Sequence, residues 1–153
     1  MSDSVPYKKY PILFVDDEEM AIVTFQKLFK NDFTIYTATK GEEAIALLAA
    51  HPDIAMVITD QKMPEMTGLD VLICVAQKYP RIINILVTAY SDLALVIKVV
   101  NQGNLYRYIA KPYEEEFLKR TIIQGLERYH LLNERDLFFE QHKASLKKKD
   151  KEK

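Results

Sequence analysis

Five polar side chains stand at the ends of apolar, β-prone segments of the sequence. They comprise three carboxylates, one hydroxyl and one ammonium, contributed by Asp16, Asp17, Asp60, Thr88 and Lys111. Two carboxylates ~4 Å apart repel by about 4 kcal/mol at an effective dielectric constant of 20, so three together need protons or a cation. Mg²⁺ suits such a group because it binds carboxylate and carbonyl oxygens and keeps coordination positions for phosphate.

A metal ion, a lysine and a hydroxyl donor are the groups that a transferring phosphoryl group requires around its oxygens. A carboxylate can act as the nucleophile in such a transfer and form an aspartyl phosphate. Each residue alone has a simpler interpretation: the acidic run 16–19 complements a helix N-terminus, and Asp60 caps a turn. Taken together, the five residues predict a Mg²⁺-dependent phosphoryl-acceptor site.

The elements that would hold these residues alternate between strands and helices. Apolar runs predict five strands, and segments with helical spacing or composition follow each of them. The predicted strands are 11–15, 33–38, 54–59, 83–88 and 105–110, and the predicted helices are 18–30, 41–50, 67–79, 91–103 and a long stretch after Pro112. Strands that are apolar on both faces indicate a parallel sheet covered on both sides. The fold class is therefore α/β, a flavodoxin-like doubly wound five-stranded parallel sheet of order 2-1-3-4-5 with an extended C-terminal helix.

The composition excludes several other classes of protein. The 153 residues carry a formal net charge of -1 with a pI near 6.3, which gives no electrostatic case for binding nucleic acid or a membrane surface. The single cysteine, Cys74, excludes a disulfide framework within one chain. The N-terminal residues show no apolar signal-peptide core, and no apolar run approaches the ~20 residues of a membrane span. We expect a cytoplasmic protein.

Four motifs resemble the receiver domain of two-component response regulators. They are "ILFVDDEE", "VITDQKMPEMTG", "ILVTAY" and "YRYIAKPY", and the likeness covers roughly residues 10–125. The resemblance implies that a sensor histidine kinase, a phosphotransfer protein or a small phosphodonor phosphorylates Asp60. It implies that Asp17 ligates Mg²⁺ directly, that Asp16 does so through water, and that Asp60 and the backbone carbonyl of Lys62 complete the protein ligands. The chain would then be a phosphoacceptor switch and not an enzyme that acts on other substrates.

The same resemblance assigns the residues that respond to the phosphoryl group. Thr88 and Lys111 would bind its oxygens, and the Lys111–Pro112 bond is often cis in this family. Tyr108 would be the switch aromatic that follows Thr88 inward and changes the face of helix 4, strand 5 and helix 5. Tyr106 is predicted to share the parity of Tyr108, so either ring could belong to the core. Lys62 and Tyr90 occupy positions that tune the phosphoryl lifetime, and neither can orient an attacking water.

The ends of the chain predict three segments: an N-terminal tail over 1–9, the receiver domain over 10–128, and a helical extension with a disordered, Lys-rich tail over 129–153. An apolar stripe continues past the expected end of the domain, through Leu126, Tyr129 and Leu132. Two interpretations stay open. The extension pairs with a second copy or a partner, or it is the start of a linker to an output domain. A homodimer would form through this helix or through the face of helix 4, strand 5 and helix 5.

Two other functions use related chemistry or the same fold. A Mg²⁺-dependent phosphatase would carry a second aspartate two residues after its nucleophile, where this sequence has Lys62. A flavin- or nucleotide-binding module would need a glycine-rich loop after strand 1, but the chain has only 4 glycines and acidic residues follow that strand. The alternatives that remain compatible with the motifs are a stand-alone receiver and the truncated receiver of a larger regulator.

Overall fold

The computed structural model describes residues 5–89, 93–102 and 104–151, and these form a five-stranded parallel sheet with helices on both faces. The strand order is β2-β1-β3-β4-β5, which confirms the predicted fold class. The strands are β1 (Ile12–Val15), β2 (Ile35–Ala38), β3 (Met56–Asp60), β4 (Ile83–Thr88) and β5 (Leu105–Ala110). Three predicted strands have different boundaries: β1 begins one residue later than expected, β2 begins two residues later, and β3 begins two residues later and includes Asp60.

Five helices cover the sheet. They are α1 (Glu19–Phe29), α2 (Gly41–Ala50), α3 (Gly68–Lys78), α4 (Leu93–Gln102) and α5 (Glu115–Lys151). One buried cluster packs α1 and α5 against the sheet, with Phe25, Phe29 and Leu118 among its members. The other cluster packs α2 and α3 against the opposite face, with Leu48 and Leu72 among its members. Burial of apolar side chains on both faces explains why the strands read as nearly continuous apolar runs.

The three central strands, β1, β3 and β4, hold the residues at their carboxyl ends in fixed positions. β1 and β4 are buried along their whole length, and β3 is buried up to Asp60. Their parallel pairing is regular, with Val15 beside Thr59 and Asp60 beside Val87. Polar residues that follow these strands must therefore meet at one edge of the sheet.

The pairing of β4 with β5 contains an irregularity between Asn84 and Ile85. Asn84 pairs with Leu105, but Ile85 pairs with Arg107, so β5 has one extra residue at Tyr106. Such a bulge reverses the face to which the neighbouring side chains point. Tyr106 packs against the α1–α5 cluster and Tyr108 packs against the α2–α3 cluster. The prediction that the two tyrosines share one parity is therefore wrong.

Helix α5 is 37 residues long and extends well beyond the sheet. It continues to Lys151, so the tail predicted to be disordered is helical through that residue. The chain there is rich in Lys, which has favourable helix propensity, and it contains no Gly or Pro. Its middle part is attached to the domain: the Tyr10 hydroxyl hydrogen bonds to Nδ1 of His130, and Arg81 forms a 2.7 Å ion pair with Asp136. Within the described ranges, no helix is both long and apolar enough to cross a membrane.

The N-terminal segment is also more ordered than a tail. Residues Tyr7–Lys9 form one turn of 3-10 helix. The Tyr7 ring makes an edge contact with Phe33, with centroids 6.3 Å apart, and its hydroxyl donates to Glu127 at 2.9 Å. The segment therefore connects the start of the chain to α5.

Candidate functional site

Three carboxylates converge at the carboxyl edge of the sheet, as the sequence predicts. Asp16 follows β1, Asp17 comes next, and Asp60 ends β3. One ligand oxygen from each lies within 4.8 Å of the other two. Because β1 and β3 are adjacent and in register, this proximity follows directly from the sheet topology.

The three carboxylates differ in solvent exposure, so they differ in how freely they can contact a bound group. Asp16 is buried, and one of its oxygens, Oδ1, accepts a hydrogen bond from the Glu18 backbone N–H at 3.0 Å. Asp17 is exposed, and Asp60 is half-buried. Asp16 is thus held in place by the start of α1, whereas Asp17 and Asp60 present oxygens to solvent and to any bound group.

Lys111 faces two of the carboxylates. Its Nζ lies 3.4 Å from Oδ2 of Asp16 and 3.5 Å from Oδ1 of Asp60. The Lys111 backbone N–H donates to the Thr88 carbonyl at 2.9 Å, so the end of β5 is fixed to the end of β4. The Lys111–Pro112 peptide bond is cis, as the family resemblance implies.

The charges in this cluster do not balance, because three carboxylates share one ammonium. Burial raises the pKa of the Asp60 carboxyl, Lys111 counteracts part of that increase, and Asp16 adds to it. Burial alone would lower the pKa of Lys111, but the carboxylates of Asp60 and Asp16 outweigh it and the pKa lies above its ordinary value. Lys111 is therefore a protonated hydrogen-bond donor at neutral pH, and the site retains an excess of negative charge.

This excess of negative charge, presented by oxygen donors, fits a hard divalent cation. Mg²⁺ prefers carboxylate and carbonyl oxygens and retains water and phosphate ligands. The carboxylates of Asp16, Asp17 and Asp60 supply donors of the right type, and the Lys62 carbonyl belongs to the loop that starts directly after Asp60. The residues present therefore fit the metal that the resemblance implies.

The loop after Asp60 is held by its own hydrogen bonds. The Gln61 backbone N–H donates to the Val87 carbonyl at 3.2 Å, and its side-chain Oε1 accepts from the Leu69 N–H at 2.8 Å. The Gln61 carbonyl accepts from the Gly68 N–H at 3.0 Å. Gln61 thus connects the end of β3 to the first turn of α3, a structural role that the sequence analysis did not predict.

Position 68 requires a glycine because the backbone of Asp60 lies directly against it. A Cβ atom at this position would lie 2.3 Å from the Asp60 carbonyl oxygen, a distance that no carbon can adopt without displacing the chain. Thr67 caps α3 by accepting from the Asp70 N–H, while the Asp70 side chain accepts from the Thr67 N–H. The glycine therefore allows α3 to begin directly against the candidate phosphorylation site.

A cavity of about 460 Å³ opens over the acidic cluster. Its lining includes the predicted contacts of a phosphoryl group and the start of the loop after Asp60: Asp17, Glu18, Asp60, Lys62, Thr88, Ala89 and Lys111. Thr88 is buried at the end of β4, and Tyr108 is half-buried on the same side of the sheet. Tyr90, the second residue predicted to tune the phosphoryl lifetime, lies outside the described residues.

A second cavity, of about 500 Å³, borders Asp60 and Lys111 from the side of α1. Its wall includes Phe14, Met20 and Tyr113, so it is more apolar than the first. Burial raises the pKa of the Tyr113 hydroxyl, Lys111 opposes that increase, and the carboxylates of Asp16 and Asp60 add to it. The sequence analysis did not select Tyr113, although its place two residues after Lys111 was a usable signal.

The family model of the response regulator receiver domain matches residues 12–123. Among curated proteins, the chain is 33% identical over 119 residues to a chemotaxis protein CheY homolog of Campylobacter jejuni, covering 72% of this chain and 88% of that one. It is 32% identical over 120 residues to the hydrogenase transcriptional regulatory protein HoxA of Cupriavidus necator, covering 78% of this chain. The match spans only 25% of HoxA, so this chain corresponds to about a quarter of that regulator.

Solved structures agree with these matches. The signal receiver domain of an HD domain-containing protein from Pseudomonas fluorescens is 33% identical, with a TM-score of 0.77 over 80% of this chain and 98% of that one. A response regulator receiver domain from Clostridium thermocellum is 28% identical, with a TM-score of 0.75 over 80% of this chain and 98% of that one. The motifs, the sheet order and the acidic edge are all accounted for: the chain belongs to the response regulator receiver domain family.

Proposed function

We propose that Asp60 accepts a phosphoryl group in a Mg²⁺-dependent reaction, with a sensor histidine kinase, a phosphotransfer protein or a small phosphodonor as the source. The observation that carries this proposal is the group of three carboxylate oxygens within 4.8 Å of one another, with the Lys111 ammonium 3.5 Å from Asp60 and an open cavity beside them. Asp60 is the member that stands on the central strand and reaches both the acidic cluster and Lys111. An excess of negative charge beside one cation suits metal-assisted phosphoryl transfer.

The Mg²⁺ ion would be held by Asp16, Asp17, Asp60 and the Lys62 carbonyl, and it would neutralise charge on the phosphoryl oxygens. Asp16 is fixed by the Glu18 N–H, so it positions the metal side of the site, directly or through water. Asp17 is exposed and can ligate without further displacement of the chain. The proximity of the three carboxylates, within 4.8 Å of one another, supports this ligand set.

In the transfer, an Asp60 carboxylate oxygen forms a new bond to phosphorus. The bond between phosphorus and the donor breaks, which is a P–N bond of phosphohistidine or a P–O bond of acetyl phosphate, and the electron pair leaves with the donor. Lys111 lies 3.5 Å from Asp60 and carries the positive charge that stabilises the phosphoryl oxygens. Thr88 contributes a hydroxyl donor from the end of the neighbouring strand.

The signal would leave the site through β4 and β5. Thr88 moves towards the phosphoryl group, Tyr108 follows into the space on the same side of the sheet, and the surface of α4, β5 and α5 changes. Lys62 and Tyr90 tune how long the aspartyl phosphate persists. The structure supports the first part of this route through the pairing of Leu86 with Tyr108 and of Thr88 with Ala110.

The wider context of the domain is also a proposal. The chain acts as a switch that assists only its own phosphorylation and dephosphorylation, in the cytoplasm, and it forms a homodimer through α5 or through the surface of α4, β5 and α5. Its likeness to part of HoxA favours a receiver that controls a larger regulator, and its likeness to most of a CheY homolog favours a stand-alone receiver. The comparisons give no support to the phosphatase alternative.

Mass spectrometry after incubation with acetyl phosphate and Mg²⁺ tests the acceptor. We expect one phosphoryl adduct on the intact protein, dependent on Mg²⁺ and absent from Asp60→Asn. Asp53→Asn, an exposed carboxylate away from the site, serves as the matched control and should be labelled normally. An adduct that persists in Asp60→Asn would refute the assignment.

A further inference from the structure

Asp60 and Lys111 each border two cavities of different character. The first has Thr88 on its wall and offers the polar groups that would bind a phosphoryl group. The second, of about 500 Å³, lies on the side of α1, and Met20 and Tyr113 belong to its wall. Its volume falls within the range of small-molecule sites, roughly 300–1,000 Å³. The second cavity therefore adjoins the candidate site and has room for a group that the phosphoryl contacts do not hold.

The apolar lining of the second cavity comes from two different elements. Met20 stands in the first turn of α1 and is 73% exposed, so its thioether is accessible to a ligand. Tyr113 follows Pro112 between β5 and α5, and its half-buried ring packs against the α1–α5 cluster. Aromatic rings stack on one another, and thioethers make favourable contacts with them. The lining therefore suits a flat aromatic group.

The charged residues of the same cavity favour a cation. Its lining contains three carboxylates, from Asp16, Glu18 and Asp60, and the single ammonium of Lys111. Lys111 already pairs with Asp16 and Asp60, whereas Glu18 is exposed and is not one of the predicted metal ligands. The negative charge of Glu18 thus persists at the cavity when the other carboxylates hold Mg²⁺. A group that is both aromatic and positively charged matches this lining best.

We propose that this cavity binds the imidazole ring of a phosphohistidine donor while the phosphoryl group passes to Asp60. The ring lies against Met20 and Tyr113, and Glu18 accepts a hydrogen bond from the protonated second ring nitrogen. An Asp60 oxygen bonds to phosphorus, the P–N bond breaks, and its electron pair stays on the ring nitrogen. The proton already on the second nitrogen makes the departing ring a neutral imidazole. This inference rests on the acceptor function proposed above and names its donor class.

Two smaller donors lack the features that this cavity would recognise. Acetyl phosphate releases acetate, which has no ring and whose negative charge Glu18 repels. Phosphoramidate has the same type of P–N bond as phosphohistidine but releases ammonia, which also has no ring. A comparison of these two donors with phosphoimidazole therefore separates the contribution of the ring from that of the bond that breaks.

The rate at which Asp60 gains the phosphoryl adduct, followed by intact mass spectrometry at saturating Mg²⁺, tests the ring contact. Tyr113→Ala should lower the ratio of the phosphoimidazole rate to the phosphoramidate rate by about three- to tenfold, the effect of one aromatic contact. Tyr113→Phe keeps the ring and should keep the ratio. Tyr36→Ala removes a half-buried ring from the opposite face of the sheet and is the matched control. A ratio that is unchanged in Tyr113→Ala would overturn the subsite.

Glu18→Gln tests the charge contact through two effects of opposite sign. The phosphoimidazole rate should fall and the acetyl phosphate rate should rise, each by about two- to fivefold, because the amide neither attracts a cationic ring nor repels an anion. Glu19→Gln is the control, since Glu19 is exposed next to Glu18 but is not part of the cavity lining. A change of the same sign for both donors would overturn the charge contact.

The same measurements separate failure of the subsite from failure of the acceptor function. Adducts that form from all three donors, with ratios unaltered in Tyr113→Ala and Glu18→Gln, would refute the imidazole subsite and leave Asp60 as the acceptor. No adduct from any of the three donors would refute the acceptor function and the subsite together.

Discussion

Tyr106 and Tyr108 are two residues apart on β5, yet their rings pack on opposite faces of the sheet. The extra residue opposite Ile85 sends Tyr106 to the α1–α5 side and leaves Tyr108 on the side of Thr88 and α4. Tyr108 can therefore respond to movement of Thr88, whereas the sheet separates Tyr106 from it. Tyr106 instead lies close to Gly125 on α5, at 3.5 Å from the position that a Cβ atom would occupy there.

This separation predicts different effects for two alanine substitutions. Tyr106→Ala and Tyr108→Ala should each lower the free energy of unfolding by about 2 kcal/mol, because each removes a half-buried ring. Only Tyr108→Ala should abolish the change in hydrogen exchange that beryllofluoride and Mg²⁺ induce in α4. Hydrogen-exchange mass spectrometry of peptides from 93–102 measures this difference. Loss of the response in Tyr106→Ala alone would contradict the assignment of Tyr108.

The strand tips were predictable because their residue types change abruptly. Apolar runs that end in Asp16, Asp60 or Lys111 identify both the strands and the edge at which they meet. The bulge at Tyr106 was not predictable, because it depends on how β5 aligns with β4, and alternation within one strand carries no information about that alignment. Periodicity alone placed both tyrosines on one face, and the pairing with the neighbouring strand reversed one of them.

Close approaches between parts of the chain were equally impossible to predict from the sequence. Gly68 occupies an ordinary position at the start of a helix in the sequence, and its need for a missing side chain arises only when α3 folds against the Asp60 carbonyl. In the sequence, Gln61 also resembles an ordinary polar loop residue. Only the structure shows that its Oε1 accepts a hydrogen bond from the Leu69 N–H. Both contacts join residues eight positions apart through a loop whose course the sequence pattern does not specify.

Removal of the Asp60 charge should stabilise the metal-free domain. Because burial raises the pKa of Asp60, the ionised carboxylate is less favourable in the folded state, and stability falls as the pH rises through the folded pKa. Asp60→Asn should therefore raise the free energy of unfolding by about 1 kcal/mol at neutral pH in the presence of a chelator. Urea denaturation measures the change, with Asp53→Asn as the control that should show none.

Mg²⁺ should reverse this order of stability. Binding to the folded state stabilises the original protein in proportion to the logarithm of the metal concentration, whereas Asp60→Asn lacks one ligand and responds less. Thermal melts across a Mg²⁺ titration should therefore show a larger increase for the original protein. Equal increases in both proteins would exclude Asp60 from the metal site.

Substitution of Gly68 should disturb the site through the backbone. In Gly68→Ala the new methyl group would lie 2.3 Å from the Asp60 carbonyl oxygen, so the loop or α3 must move, at a cost of about 2–3 kcal/mol. Gly41→Ala is the comparison variant: its methyl group would lie 2.6 to 2.8 Å from the Met66 side chain, including its Cβ, and it meets no backbone atom of the site. Urea denaturation should show a loss of stability for both variants. We also expect weaker Mg²⁺ binding in Gly68→Ala, and unchanged binding together with unchanged stability would contradict the close approach.

Alkaline pH should weaken the attachment of the N-terminal segment to α5. Burial raises the pKa of the Tyr7 and Tyr10 hydroxyls above their ordinary value of 10.0, and the hydrogen bond to Glu127 adds to the increase for Tyr7. The unfolded chain therefore loses these protons at a lower pH than the folded protein does. Their contribution to stability is complete below pH 10 and is lost as the pH rises through the folded pKa values.

Urea denaturation between about pH 8 and about pH 11 should show this loss, with a slope of at most about 1.4 kcal/mol per pH unit for each tyrosine. Tyr7→Phe and Tyr10→Phe each remove one titrating hydroxyl, so each variant should reduce the slope above pH 10. Both should also lower stability at pH 8, since Tyr7 then loses its bond to Glu127 and Tyr10 its bond to His130. A pH profile that is the same in the original protein and in both variants would show that these hydroxyls do not link the N-terminal segment to α5.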